Sequence, residues 1–257
     1  MWRENYNLSD HQFEIKKGEC NGVIFDKDGT ILDSIKIWPE LIKSRVEKLR
    51  EEFNFKDNFS RTLMNVMGLN DQEEIILRSP IVIGSRGETA AAVCGLLFLH
   101  LGVPWDLALM KVNEAFNISD KEVPLEKQAI LIPGIRETMQ NLVEADYKIG
   151  IATNDNVDRT RKLMGFCGLE KYISGYACRD EVLTGKPEPE MFRLICQRLN
   201  LKTTECIIVG DSPSDIYMGI KGGAKFTVGV LTGASKRSDL AGIADIILPS
   251  AAHLNVI

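Results

Sequence analysis

Acidic side chains crowd one short stretch of this chain. In VIFDKDGTILDS, Val23 to Ser34, Asp26 and Asp28 stand two positions apart directly behind an apolar run, and Asp33 follows. Carboxylates that close repel, and in a partly dry site the repulsion raises their pKa values. Such a cluster needs a cation to hold it or a reaction that uses it. Taken alone, the stretch also reads as a polar turn, because Asp-Gly is an ordinary turn signal. Three further stretches offer matching chemistry: IGIATND carries Thr153 and Asn154, TGKPEPEMF carries Lys186, and IIVGDSPSD carries Asp211 and Asp215. Each has a plainer use, since Thr153 suits a helix cap and Asp211 with Asp215 suits a capped helix start. Lys186 is harder to dismiss: placed just before a helix it opposes the macrodipole unless it points at an anion.

Whether these residues meet depends on the elements that carry them. From about residue 131 the text alternates between the two periodicities. IRETMQNLVEAD, NVDRTRKLMGFCGL (with Asn154 or Asp155 as cap), PEPEMFRLICQRLN (opened by Pro187), SDIYMGIKGG and SKRSDLAGIA read as helices. YKIGIAT, YISGYAC, CIIVG, KFTVGVLT and DIILP, with the first apolar run, read as strands. Strand and helix in strict turn predict an α/β domain with a mostly parallel sheet. Residues 35–130 differ: WPELIKSRVEKLREEF, ETAAAVCGLLFLHLG and WDLALMKVNEAF are all helical, and no strand pattern intrudes. One crossover helix needs far fewer residues than that. The expected organisation is an amino-terminal extension (1–20), an α/β core (21–34 and 131–257) and an inserted helical cap (35–130). Ligands of open α/β sheets bind beyond the carboxyl ends of the strands, so the cap is expected to cover the acidic turn as a lid.

Parallel strands end on one edge of the sheet, so Asp26, Asp28, Thr153, Asn154, Lys186, Asp211 and Asp215 become neighbours. The acids form an oxygen-ligand set for a hard cation, hence Mg²⁺ completed by waters and a phosphate oxygen. The hydroxyl and the lysine complete an anion pocket.

FDKDGTILDS, ATND, GKPEPEMF and GDSPSD, in that order, resemble the four signature motifs of the haloacid dehalogenase superfamily. The likeness runs from about residue 21 to 250, and the helical insertion resembles the cap of the phosphoglycolate-phosphatase and β-phosphoglucomutase branch. It implies a Rossmann-like core, Mg²⁺ dependence and an aspartyl-phosphate intermediate. By the same resemblance Asp26 is the nucleophile and a metal ligand, and Asp28 is the general acid and base whose carbonyl also binds the metal. Thr153, the Asn154 amide and Lys186 hold the phosphoryl oxygens, Asp211 binds Mg²⁺, and Asp215 orients the metal's waters or a neighbouring group. An aspartate at position 28 marks family phosphatases and phosphomutases; dehalogenases and phosphonatases lack it, and P-type ATPases carry threonine there. The expected activity is a Mg²⁺-dependent phosphatase acting on a small phosphorylated metabolite. A phosphosugar mutase and a non-catalytic binding protein of the same fold are the alternatives.

The rest of the text bounds this reading. The 257 residues are 44% hydrophobic and 26% charged, an ordinary globular composition. A formal net charge of -5 argues against nucleic-acid binding by bulk electrostatics. The apolar run Ala90 to Leu99 is about half the roughly 20 residues of a membrane span. It is expected in the core of the cap, or in a dimer face; monomer and homodimer both stay open. The amino-terminal segment has no apolar core of signal-peptide type. Six scattered cysteines without a C-x-x-C pair are expected as buried inert thiols, which suits a reducing cytoplasm. His11, His100 and His253 are expected to be structural or exposed. Arg86, in GSRGE ahead of a predicted helix, is either a substrate contact or a solvated loop arginine.

Overall fold

The computed structural model describes residues 13–16, 18–124, 127 and 129–256. Most of the expected amino-terminal extension, with His11, lies outside them. The chain divides into two compact units: one takes the chain up to Asp33 and from Ala129 onward, the other is Ser34–Gln128.

The first unit is built on a six-stranded parallel sheet of β2 (Gly22–Phe25), β3 (Lys148–Thr153), β4 (Gly175–Cys178), β5 (Cys206–Gly210), β6 (Phe226–Val230) and β7 (Ile246–Leu248). Its order is β4-β3-β2-β5-β6-β7, the doubly wound α/β arrangement the alternating text predicts. Strands covered on both faces become continuous apolar runs rather than alternating ones. β2 and β5 show this best, being buried at every position. The alternate positions Ile24, Ala152, Ala177 and Ile208 pack against Met191, Phe192 and Ile195 of α8 (Glu190–Arg198) and Met218 of α9 (Pro213–Gly222). Ile149 and Ile151, on the opposite face of β3, are equally buried, and α6 (Ile135–Glu144) lies against that strand while α7 (Val157–Phe166) lies against β4.

Four details differ from the reading of the text. A short β1 (Phe13–Ile15) pairs in parallel with β8 (Leu254–Val256), two three-residue strands too short for periodicity to reveal. The cap of α7 is Asn156, whose side chain accepts the Arg159 amide, rather than Asn154 or Asp155. α8 begins at Glu190, so Pro187 does not open it. SKRSDLAGIA yields only the single turn α10 (Arg237–Leu240).

The second unit is helical among its described residues: α1 (Trp38–Phe53), α2 (Asp57–Met67), α3 (Pro80–Ile83), α4 (Arg86–Leu101) and α5 (Trp105–Glu122). Apolar residues three or four apart form its core: Ile42, Val46 and Leu49 from α1, Val93 and Leu97 from α4, Val112 and Phe116 from α5. The run Ala90 to Leu99 is therefore split, with Ala90, Val93, Cys94 and Leu97 buried while Phe98 and Leu99 are exposed. Ser85 and Glu88 form a reciprocal capping box that starts α4, so Arg86 opens this helix instead of preceding it. The two connections between the units run side by side where they leave the core. The Asp33 amide donates to the Ile130 carbonyl at 2.8 Å and the Ile132 amide to the Ile31 carbonyl at 2.9 Å. No described helix is long and apolar enough to cross a membrane. All six cysteines are buried and unpaired.

Candidate active site

The order of the sheet reverses at β2, which lies between β3 and β5. At such a switch point the connections diverge to opposite sides and leave a crevice beyond the strand ends. Asp26 is the first residue after β2, and its amide donates to the Val209 carbonyl of β5 at 2.8 Å. Thr153 closes β3, and Asp211 follows directly on β5. Asp215 lies in the first turn of α9, where Ser212 is the cap. Both the Ser212 amide (3.0 Å) and its hydroxyl (2.6 Å) donate to Asp215 Oδ2. The plainer reading of Asp215, a helix-start residue, is thus also true of one of its oxygens.

The other oxygen faces the site. Lys186 Nζ lies 2.6 Å from Asp215 Oδ1 and 2.5 Å from Asp26 Oδ1, with its side chain only 3% exposed. Lys186 sits in a turn four residues ahead of α8, so the helix dipole has no part in aiming it. Its backbone amide is held instead by Asn154 Oδ1 at 3.2 Å. The Asn154 side chain therefore positions the lysine, and the buried Thr153 hydroxyl accepts the Asp155 amide at 3.2 Å. Asp211 is fixed by a loop that the sequence reading did not single out. The Ala234 amide donates to its Oδ2 at 2.5 Å, and the Thr232 hydroxyl donates to the Gly29 carbonyl at 2.6 Å. A Cβ on Gly233 would stand 2.0 Å from Asp211 Oδ2, so only glycine lets that loop approach.

Oxygens of Asp26, Asp211 and Asp215 lie within 4.8 Å of one another, and all three residues are buried. Burial, with Asp215 and Asp28 adding to it against the pull of Lys186, raises the Asp26 carboxyl from 3.8 to about 7. Burial first, then Asp26 and Asp215, holds Asp211 well above the ordinary carboxylate range. For Lys186 burial alone would lower the pKa, but Asp215 and Asp26 outweigh it and the ammonium persists. Lys186 pairs with Asp26 and Asp215 while Asp211 lies beside them, so the trio when fully ionised would carry two more negative charges than that lysine offsets. That deficit and that all-oxygen donor set fit a hard divalent cation.

A second charge cluster adjoins the first. Lys27, which sequence reasoning missed, is buried with its Nζ 2.6 Å from Asp28 Oδ2 and 3.1 Å from Asp155 Oδ2. Arg159 Nε also meets Asp155 Oδ2 at 3.2 Å. Lys27 and Arg159 thus meet Asp155 together, and Lys27 also meets Asp28.

Arg86 belongs to the helical unit. Its guanidinium reaches Asn113 Oδ1 (3.2 Å), the Asn113 carbonyl (3.3 Å), Asn117 Oδ1 (2.6 Å) and Asp120 Oδ2 (3.3 Å). These bonds tie the start of α4 to α5, an employment inside the unit that the text did not suggest.

A parallel doubly wound core with acids, a hydroxyl and a lysine at its switch point defines a class of hydrolase, and comparison with known proteins agrees. Residues 20–223 match the family model of the haloacid dehalogenase-like hydrolases, and the chain belongs to that family. It is 24% identical over 219 residues to a phosphorylated carbohydrates phosphatase of Thermotoga maritima, covering 81% of this chain and 84% of the relative. It is 22% identical over 197 residues to a phosphoglycolate phosphatase of Psychrobacter arcticus, covering 77% of each. A crystal structure from Haemophilus somnus, titled as a predicted phosphoglycolate phosphatase, shares the fold with a TM-score of 0.69 at 19% identity, covering 91% of this chain and 96% of that one.

Proposed function

We propose that this chain is a Mg²⁺-dependent phosphatase that hydrolyses a small phosphorylated metabolite, of the phosphorylated-carbohydrate or phosphoglycolate kind, through an aspartyl phosphate on Asp26. The observation that carries the reading is the buried trio Asp26, Asp211 and Asp215 at the sheet's switch point, with Lys186 paired to Asp26 and Asp215. The names of the relatives above support the substrate class.

In the first half-reaction an Asp26 oxygen attacks phosphorus, the bond to the leaving oxygen breaks, and Asp28 gives that oxygen its proton. Thr153, the Asn154 amide and Lys186 hold the phosphoryl oxygens. In the second, a water oxygen attacks the same phosphorus, its proton passes to Asp28, and the bond to Asp26 breaks to release orthophosphate. Positioning and charge neutralisation carry most of such a transfer, and the acid–base residue adds about 10²–10⁴-fold. Asp26, Asp211, the Asp28 carbonyl and Asp215 (directly or through waters) would hold Mg²⁺, which supplies the positive charge the pocket lacks.

Specificity for the rest of the substrate is assigned to the helical unit, because the core groups account only for the phosphoryl group. Arg86 is the named candidate, and its bonds to Asn113, Asn117 and Asp120 mean that a substrate contact would be made in addition to a clamp. A panel of phosphorylated metabolites, assayed for orthophosphate in Mg²⁺, tests the reading. Turnover of at least one sugar or glycolate phosphate is expected. Transfer of the phosphoryl group to a second sugar hydroxyl, without orthophosphate, would contradict hydrolysis.

A further inference from the structure

The phosphoryl chemistry above leaves Lys27 without a task, although it lies between the two aspartates that perform that chemistry. Its side chain is 2% exposed. A buried ammonium is costly unless its charge is met, and here two carboxylates meet it, Asp28 and Asp155. Both ends of this connection are fixed. The Lys27 carbonyl accepts the amides of Ile31 and Leu32, each at 2.9 Å, which closes the loop around it. Asp155 Oδ1 accepts the Asn156 amide at 2.8 Å, and the Asp155 amide donates to the Thr153 hydroxyl. The lysine therefore joins the carboxylate of Asp28 to the loop that carries Thr153 and Asn154.

We propose that Lys27 is a positioning residue: anchored on Asp155, it holds the Asp28 carboxylate in register with the phosphoryl-holding loop, aimed at the water that hydrolyses the phosphoenzyme. The inference rests on the acid–base role proposed for Asp28. The step it serves is the second half-reaction, in which water loses a proton to Asp28 as its oxygen bonds to phosphorus and the Asp26–phosphorus bond breaks. Lys27 forms and breaks no bond in it. Without Lys27 the Asp28 carboxylate loses its tie to Asp155, and a cation is removed from between two acids.

The test uses a generic aryl phosphate, whose leaving group departs without an acid, so that Asp28 matters only in the second half-reaction. Rapid-quench labelling measures phosphoenzyme formation and decay separately. In Lys27→Met, decay should slow by roughly tenfold to 100-fold, the scale on which misplacing a reacting group acts, while formation changes little. The steady-state phosphoenzyme fraction should rise accordingly. Lys27→Arg, which keeps the charge, should recover part of the decay rate. Lys27→Met combined with Asp28→Asn should be no slower than Asp28→Asn alone, because one residue acts through the other. Additive losses, or equal slowing of both half-reactions, would overturn the proposal. Should Lys27→Met not fold, Asp155→Asn loosens the anchor alone: a smaller slowing of decay supports the proposal, and a wild-type decay rate refutes it. Absence of any phosphoenzyme in a wild type that turns over would remove the function proposed above and this inference with it. A normal phosphoenzyme with additive losses removes the inference alone.

Discussion

Asp26 and Asp211 are held in a pocket that resists their charge, and that resistance is measurable without any substrate. In the metal-free protein the Asp26 carboxyl is raised from 3.8 to about 7, chiefly by burial. A raised folded-state pKa means that the folded protein binds the proton more tightly than the unfolded chain does. The stability Asp26 contributes is thus complete below about pH 4 and is lost as pH rises toward 7. Asn at this position keeps the shape and cannot ionise. In excess chelator, Asp26→Asn should therefore melt higher than wild type at pH 8 and show little advantage at pH 4. Each kcal/mol moves the midpoint by about 2–4 °C in a chain of this size class. Thermal melts at the two pH values check this, and a variant that melts lower at pH 8 would contradict the electrostatic account.

At the level of elements, the loop between β6 and α10 reaches across to Asp211, and its tolerance is narrow. Gly233→Ala would drive a methyl into Asp211 Oδ2, displacing the carboxylate or the Ala234 amide that holds it. Groups that orient a metal ligand are worth about 10–100-fold in metal affinity. Calorimetric Mg²⁺ titration of Gly233→Ala should show a loss of that order with the fold retained; unchanged affinity would mean that the loop does not orient the ligand. Arg86 belongs to the same scale. Removing a guanidinium that four oxygens accept should cost the helical unit about 1–3 kcal/mol. If Arg86 also touches substrate, Arg86→Ala should lower kcat/KM for the preferred metabolite more than for an aryl phosphate. Equal losses would leave it a clamp only. What was legible in the text follows from these same features. Residues at or directly after the carboxyl ends of buried strands are placed by topology, so Asp26, Thr153 and Asp211 could be read from the alternation. Lys186 was found on a helix-dipole argument that the structure replaces with a side-chain bond from Asn154. Lys27 and the Gly233 loop were missed because their roles depend on which loops approach one another, a long-range matter that no local pattern encodes, whereas the Asn156 cap is local and was missed because the neighbouring Asn154 and Asp155 offer the same cap chemistry. The β1–β8 pair was missed for the opposite reason, being too short to carry a pattern at all.

For the whole molecule, the unmet charge of the pocket predicts dependence on an added cation. Chelation should abolish phosphatase activity and Mg²⁺ should restore it. Ca²⁺ should inhibit, because its looser coordination spoils the in-line geometry; full activity in excess chelator would contradict the site as described. The central claim is narrower, that Asp26 itself carries the phosphoryl group. It is tested most directly by acid-quenching wild type and Asp26→Asn within milliseconds of mixing with a radiolabelled phosphorylated metabolite and Mg²⁺, then mapping the labelled peptide. The account predicts hydroxylamine-labile label on the peptide containing Asp26 in wild type and none in Asp26→Asn. Equal label in the two proteins, or label on another peptide, would contradict it.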